Sequence, residues 1–75
     1  MSRLRVFVLD DEQLAVDRLV RLLERTGRVE IIGTATDPED AIGPLQTDPV
    51  DVLFLDIQMP GMNGFQFLER IDRDI

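Results

Sequence analysis

The chain has 75 residues, with fifteen acids against eight arginines and a formal net charge of −7, and it contains no lysine, histidine or cysteine. That length makes one small domain, of the kind that often relies on a metal or a partner chain to support a modest core. Disulfides and thiolate metal sites are excluded, a metal would have to bind through oxygen (magnesium, calcium or manganese), and nothing offers nucleic acid a basic footprint.

Residues Leu4 to Leu9 are short, branched and mostly apolar, which predicts a strand. A helix is predicted over 12–26, with Ala15, Leu19, Leu22 and Leu23 on one face and Val16 and Val20 widening the stripe. Asp11 is its expected N-cap, Asp17 and Arg21 an i,i+4 pair, and Gly27 its terminator. A second strand is expected over 29–36. Asp37-Pro38-Glu39-Asp40 then reads as a helix start, with Asp37 capping and Pro38 at the first position. Gly43-Pro44 falls inside that helix, so the stretch 38–46 is expected to be short or kinked, because an interior proline removes a hydrogen bond and clashes with the preceding turn. The third strand, 50–57, is the most apolar and reads as buried on both faces. A loop, Met59-Pro60-Gly61-Met62, leads to a last helix over 65–73 that Asn63 can cap, with Phe67, Leu68 and Ile71 inward. Strands alternating with helices predict a parallel sheet with right-handed crossovers, whose chemistry gathers at the carboxyl ends of the strands.

Two of those ends are acidic. The first strand runs into Asp10-Asp11-Glu12 and the third into Asp56. Adjacent strands lie about 4.8 Å apart, so these acids are expected to be neighbours whose mutual repulsion a hard divalent cation would relieve. A plainer reading of Asp10-Asp11-Glu12 is helix capping at the positive end of a dipole, and of Asp56 a solvated loop acid. Two adjacent acids followed by a third exceed what a cap requires. Pro60-Gly61 also suits the centre of a type II turn, which would hold the surroundings of Asp56 stiff.

Val6-Phe7-Val8-Leu9-Asp10-Asp11-Glu12 and Leu53-Phe54-Leu55-Asp56-Ile57-Gln58-Met59-Pro60-Gly61-Met62-Asn63-Gly64 resemble the first and third strand signatures of response-regulator receiver domains, with Gly33 and Ala35 matching the second strand. The Asp56 segment, with Leu14 early in the first helix, is most similar to regulators that carry a LytTR-type DNA-binding output domain, and so to transcription regulation. The resemblance implies a flavodoxin-like (CheY-like) fold, here βαβαβα with strand order 2-1-3. It implies that Asp56 accepts a phosphoryl group from a sensor histidine kinase in two-component signalling. Asp11 would be the direct Mg2+ ligand, Asp10 would hold the metal largely through water, Asp56 would share it, and the backbone carbonyl of Gln58 would complete the set. Kinase docking is implied on the first helix, around Leu14 and Ala15.

Residues 1–75 match only the first three of the family's five βα units, so the chain is expected to be an incomplete receiver. The family's switch Ser/Thr and its lysine belong to the other two units, and no lysine here can stand in for the latter. In this reading the third strand, central in the full order, becomes an edge, and the segment is expected to self-associate through it or to be part of a longer chain. No apolar run reaches membrane-spanning length and residues 1–3 lead straight into a strand, so a cytoplasmic signalling domain, not an enzyme, is expected. Two alternatives stay open. One is a phosphorylation-incompetent interaction or dimerisation module. The other is an aspartate-nucleophile phosphohydrolase of the haloacid-dehalogenase type, against which stands Gln58 where a general-acid aspartate is needed.

Overall fold

Apolar strands alternating with amphipathic helices fold as expected for a parallel α/β layer. The computed structural model describes residues 3–57, 59 and 61–71. Its elements are β1 (Leu4–Leu9), α1 (Gln13–Arg25), β2 (Val29–Ala35), α2 (Pro38–Thr47), β3 (Val52–Leu55) and α3 (Gly64–Arg70). The sheet is parallel in the order β2-β1-β3.

Alternation along β1 divides the core in two. Val6 and Val8 face α1, where they meet Val16, Leu19, Val20 and Leu23. Phe7 and Leu9 face the other side, packing with Ala41 and Leu45 of α2 and Phe67 of α3. Phe67, Leu9 and Leu45 are sealed from solvent. The register between β1 and β2 slips by one residue: Val6 pairs with Ile31 but Phe7 with Gly33. Such a bulge re-aims the strand beyond it. Accordingly Val29 and Ile31 join the α1 cluster, whereas Ile32 and Ala35 join the opposite one. Gly33 is required where it sits. A Cβ there would stand 2.6 Å from Cε2 of the Phe7 ring.

Several sequence expectations are corrected. The inward stripe of α1 is Val16, Leu19, Val20 and Leu23, while Leu22 is 59 % exposed. Asp11 does not cap that helix: Glu12 holds the cap position without a side-chain bond, and Asp17 accepts from Gln13 Nε2 at 2.8 Å in place of the expected pairing with Arg21. Termination at Gly27 holds, its φ being +69°. The second strand ends at Ala35, one residue early. As expected, Asp37 caps α2 through the Glu39 N–H with Pro38 in the first turn, and the helix runs through Pro44 to Thr47, one residue past the expected end. Buried Ala41 and Leu45 on either side of that proline anchor both halves against the sheet.

The third strand is shorter than expected and half-buried, and among the described residues it pairs with β1 alone. The strand buried on both faces is β1. Asn63 caps α3 in a reciprocal box with Gln66. Leu68 is 48 % exposed, so only Phe67 and Ile71 of the expected trio point inward. Arg70 reaches back to Glu39 in a two-pronged pair at 2.6 and 3.3 Å, tying α3 to α2.

Candidate functional site

All three parallel strands end on one side of the sheet. Backbone bonds extend the ladder past β1 and β3: Asp10 N–H donates to Ala35 O at 3.2 Å, and Asp56 N–H donates to Leu9 O at 3.0 Å. Asp10 and Asp56 are thus fixed to adjacent strands before their side chains are considered. The Asp10 carboxylate then accepts from the Glu12 N–H at 3.0 Å, an Asx turn that swings the chain into α1. The helix cap assigned from sequence to Asp11 is made by no side chain, and Asp10 shapes the entry to α1 instead. Asp11 is left at the rim, exposed and aimed at its neighbours.

One carboxylate oxygen each from Asp10, Asp11 and Asp56 lies within 4.8 Å of the other two. Partial desolvation, hydrogen bonds with Asp56 and Asp10, and the charges of both hold the Asp11 carboxyl above its ordinary range. The cluster is therefore short of positive charge. Oxygens sharing one octahedral magnesium stand about 3.0 to 4.2 Å apart, given metal–oxygen bonds of roughly 2.1 Å. The set lies within 4.8 Å, close to that spacing, and its all-oxygen chemistry suits a hard cation. Gln58, the fourth residue expected here, lies outside the described residues.

The loop beyond Asp56 is built around two glycines. Gly61 has φ +79° and the Met62 N–H donates to Met59 O at 3.3 Å, as a type II turn requires. At Gly64 a Cβ would stand 3.0 Å from Ile57 Cα and 3.1 Å from Asp56 O, while the Gly64 N–H donates to Ile57 O at 2.7 Å. Gly64 thus lets α3 start directly against the acid-bearing segment. In the sequence this residue stands out only as the last member of a motif. A glycine straight after a capping asparagine is the signal of that close approach.

Beside the acids runs a groove of about 160 Å³, between Val8 and Leu19 on one side and Phe54 and Leu55 on the other. A larger concavity of about 530 Å³ lies at the opposite end of the sheet, where Arg5 grips Asp51, and it contains none of the acids. The smaller groove is the one lined by Asp10 and Asp56. Among the described residues, no helix is long and apolar enough to cross a membrane.

A family model for the response regulator receiver domain matches residues 6–75. The chain is 54 % identical over 63 residues to the sensory transduction protein LytT of Bacillus anthracis, covering 84 % of this chain and 26 % of that protein. It is 41 % identical over 73 residues to a protein-glutamate methylesterase/protein-glutamine glutaminase of Caulobacter vibrioides, covering 97 % of this chain and 21 % of that one. Among solved structures it resembles a chain of the CheX–CheY–BeF3–Mg complex from Borrelia burgdorferi, with TM-score 0.79 and 30 % identity over 93 % of this chain and 53 % of that one. The chain thus spans about a quarter of the curated relatives it matches.

Proposed function

Because the chain belongs to the response regulator receiver domain family, we propose that Asp56 is its phosphoryl acceptor and that Asp10 and Asp11 hold the Mg2+ the transfer needs. The observation that carries this reading is the meeting of three carboxylates, from two strands, within 4.8 Å. In the proposed step a carboxylate oxygen of Asp56 attacks phosphorus of a phosphohistidine on a sensor kinase. A P–O bond forms, the P–N bond breaks, and the departing imidazole keeps the bonding pair and takes a proton from water. Bound magnesium would neutralise charge on the phosphoryl oxygens. Asp11 supplies the most accessible carboxylate for the ion, Asp56 shares it, and the Gln58 carbonyl completes the protein ligands. The outward face of α1, with Leu14 exposed beside the acids, is the proposed kinase contact. The chain acts in this reading as a cytoplasmic receiver, of residues 1–75 in an incomplete form, for a LytTR-type transcription regulator.

Incubation with acetyl phosphate and Mg2+, followed by intact-mass measurement, tests the proposal. One phosphoryl group should be gained, and none after Asp56→Asn. A second reading is an interaction module that takes no phosphoryl group. It requires the parent chain to stay unlabelled and Asp56→Asn to change nothing.

A further inference from the structure

Asn63 is the only asparagine in the chain, and a glycine follows it. The dipeptide is chemically labile, because the Gly64 nitrogen, unshielded by a side chain, can reach the Asn63 side-chain carbonyl and close a five-membered ring. The fold itself demands that glycine: a Cβ at position 64 would stand 3.0 Å from Ile57 Cα and 3.1 Å from Asp56 O. The same fold occupies both reacting groups. The Gly64 N–H donates to Ile57 O at 2.7 Å, and Asn63 Oδ1 accepts from the Gln66 N–H at 2.8 Å. The Asn63 N–H donates in turn to Gln66 Oε1 at 3.0 Å. Ring closure needs the Gly64 nitrogen stripped of its proton and the Asn63 amide turned off its partner, so the start of α3 must open first.

We propose that Asn63-Gly64 is a latent deamidation site, closed while the Asn63–Gln66 box and the Gly64–Ile57 bond hold and released when the first turn of α3 opens. In the open form a hydroxide ion takes the Gly64 amide proton, and the nitrogen attacks Asn63 Cγ. An N–Cγ bond forms, the Cγ–Nδ2 bond breaks, and ammonia leaves after taking a proton from water. Water then opens the succinimide ring at either carbonyl, giving aspartate or isoaspartate; the net change is one water in and one ammonia out. The two products differ for this fold. Aspartate keeps a carboxylate oxygen where Oδ1 accepts from the Gln66 N–H. Isoaspartate routes the main chain through Cγ and adds a methylene ahead of Gly64. It also turns the carbonyl that accepts from the Phe67 N–H at 3.0 Å into a side carboxylate. Gly64 already touches Ile57 and Asp56, so the extra length moves α3 off the segment that carries Asp56.

Ageing of the chain in mildly alkaline buffer, with and without guanidinium chloride, tests the proposal, with peptide mapping by mass spectrometry counting the products at position 63. The native chain should deamidate at least about tenfold more slowly than the denatured one, since the reaction draws on the open population alone. Gln66→Ala removes one arm of the box at an exposed position. It should speed deamidation of the native chain roughly two- to tenfold, the worth of one hydrogen bond, and leave the denatured rate unchanged. The isoaspartyl form, separated by chromatography, should melt about 4 °C or more below the parent in thermal circular dichroism, while Asn63→Asp stays closer to it. Equal rates in the native and denatured chain, a Gln66→Ala rate equal to the parent's, or an isoaspartyl form that melts with Asn63→Asp would each overturn the proposal.

Discussion

Replacing Gly33 by alanine puts a methyl group 2.6 Å from Cε2 and 2.9 Å from Cδ2 of Phe7. Carbon atoms rest at about 3.5–4.0 Å, so the ring must retreat by roughly 1 Å. It has little room to do so. Phe7 is 3 % exposed and packed among buried residues between the sheet and α2. Overpacking of this kind costs about 1–3 kcal/mol, and the stiffer unfolded chain returns about 0.4–1 kcal/mol. A net loss near 1–2 kcal/mol is expected, against a total stability of roughly 4–11 kcal/mol for a domain of this size. Urea denaturation followed by far-ultraviolet circular dichroism is the assay, since the chain has no tryptophan or tyrosine to report by fluorescence. The decisive arm is the cycle with Phe7→Leu. If the ring causes the loss, Gly33→Ala should cost at least about 1 kcal/mol less in the Phe7→Leu background than alone. Equal costs in both backgrounds, or a single mutant within about 0.3 kcal/mol of the parent, would refute the steric account.

Asp11→Asn should raise the melting temperature without magnesium and abolish the further rise that added magnesium gives the parent, as read by thermal circular dichroism. The sign follows from a folded-state pKa above the unfolded one: the penalty from Asp11 is absent at low pH and complete once pH exceeds the folded value. Asp51 behaves oppositely. Its backbone and side-chain bonds with Arg5 hold the carboxyl below its ordinary range, so its stabilisation is present above the unfolded value of about 3.9 and lost as pH falls through the folded one. In an acid titration Asp51→Asn should flatten that limb of the stability curve and leave the Asp11 limb in place. Asn63→Ala removes the Oδ1 that accepts from the Gln66 N–H and leaves the Asn63 N–H on Gln66 Oε1; it should cost about 0.5–2 kcal/mol in urea, with Asn63→Asp retaining most of the stability.

The strand order came from the resemblance to receiver domains, whereas the bounds of β1 and the start of α2 at Asp37-Pro38 could be read from residue pattern alone, because each rests on local chemistry. So could the meeting of Asp10, Asp11 and Asp56, once the two acidic strand ends were placed side by side. The features that escaped depend on partners distant in sequence. Ile31-Ile32 looks like uninterrupted strand, and only pairing with β1 shows the slipped register. The phase of the α1 stripe turned on whether Val16 or Leu22 faces the sheet, and both fit a helical period. Asp11 looked like the cap of α1, but Glu12 holds the cap position and Asp10 accepts from the Glu12 N–H, a turn that depends on where β1 stops. Arg70 meeting Glu39 had no sequence signal, since both sit on exposed helix positions.

The central place of β1 also orders events in time. It is the first strand made, yet its two partners come later, Gly33 and Leu53 both pairing with Phe7. Closing the longer loop carries the greater entropic cost, though each doubling adds only about 0.6 kcal/mol. The β1–α1–β2 unit can therefore assemble first, as a nucleus around Val6, Val8 and Val16. β3 arrives afterwards, across the 46 residues that separate Arg5 from Asp51. Lesions in β1 should then slow folding itself, whereas lesions in β3 should chiefly hasten unfolding.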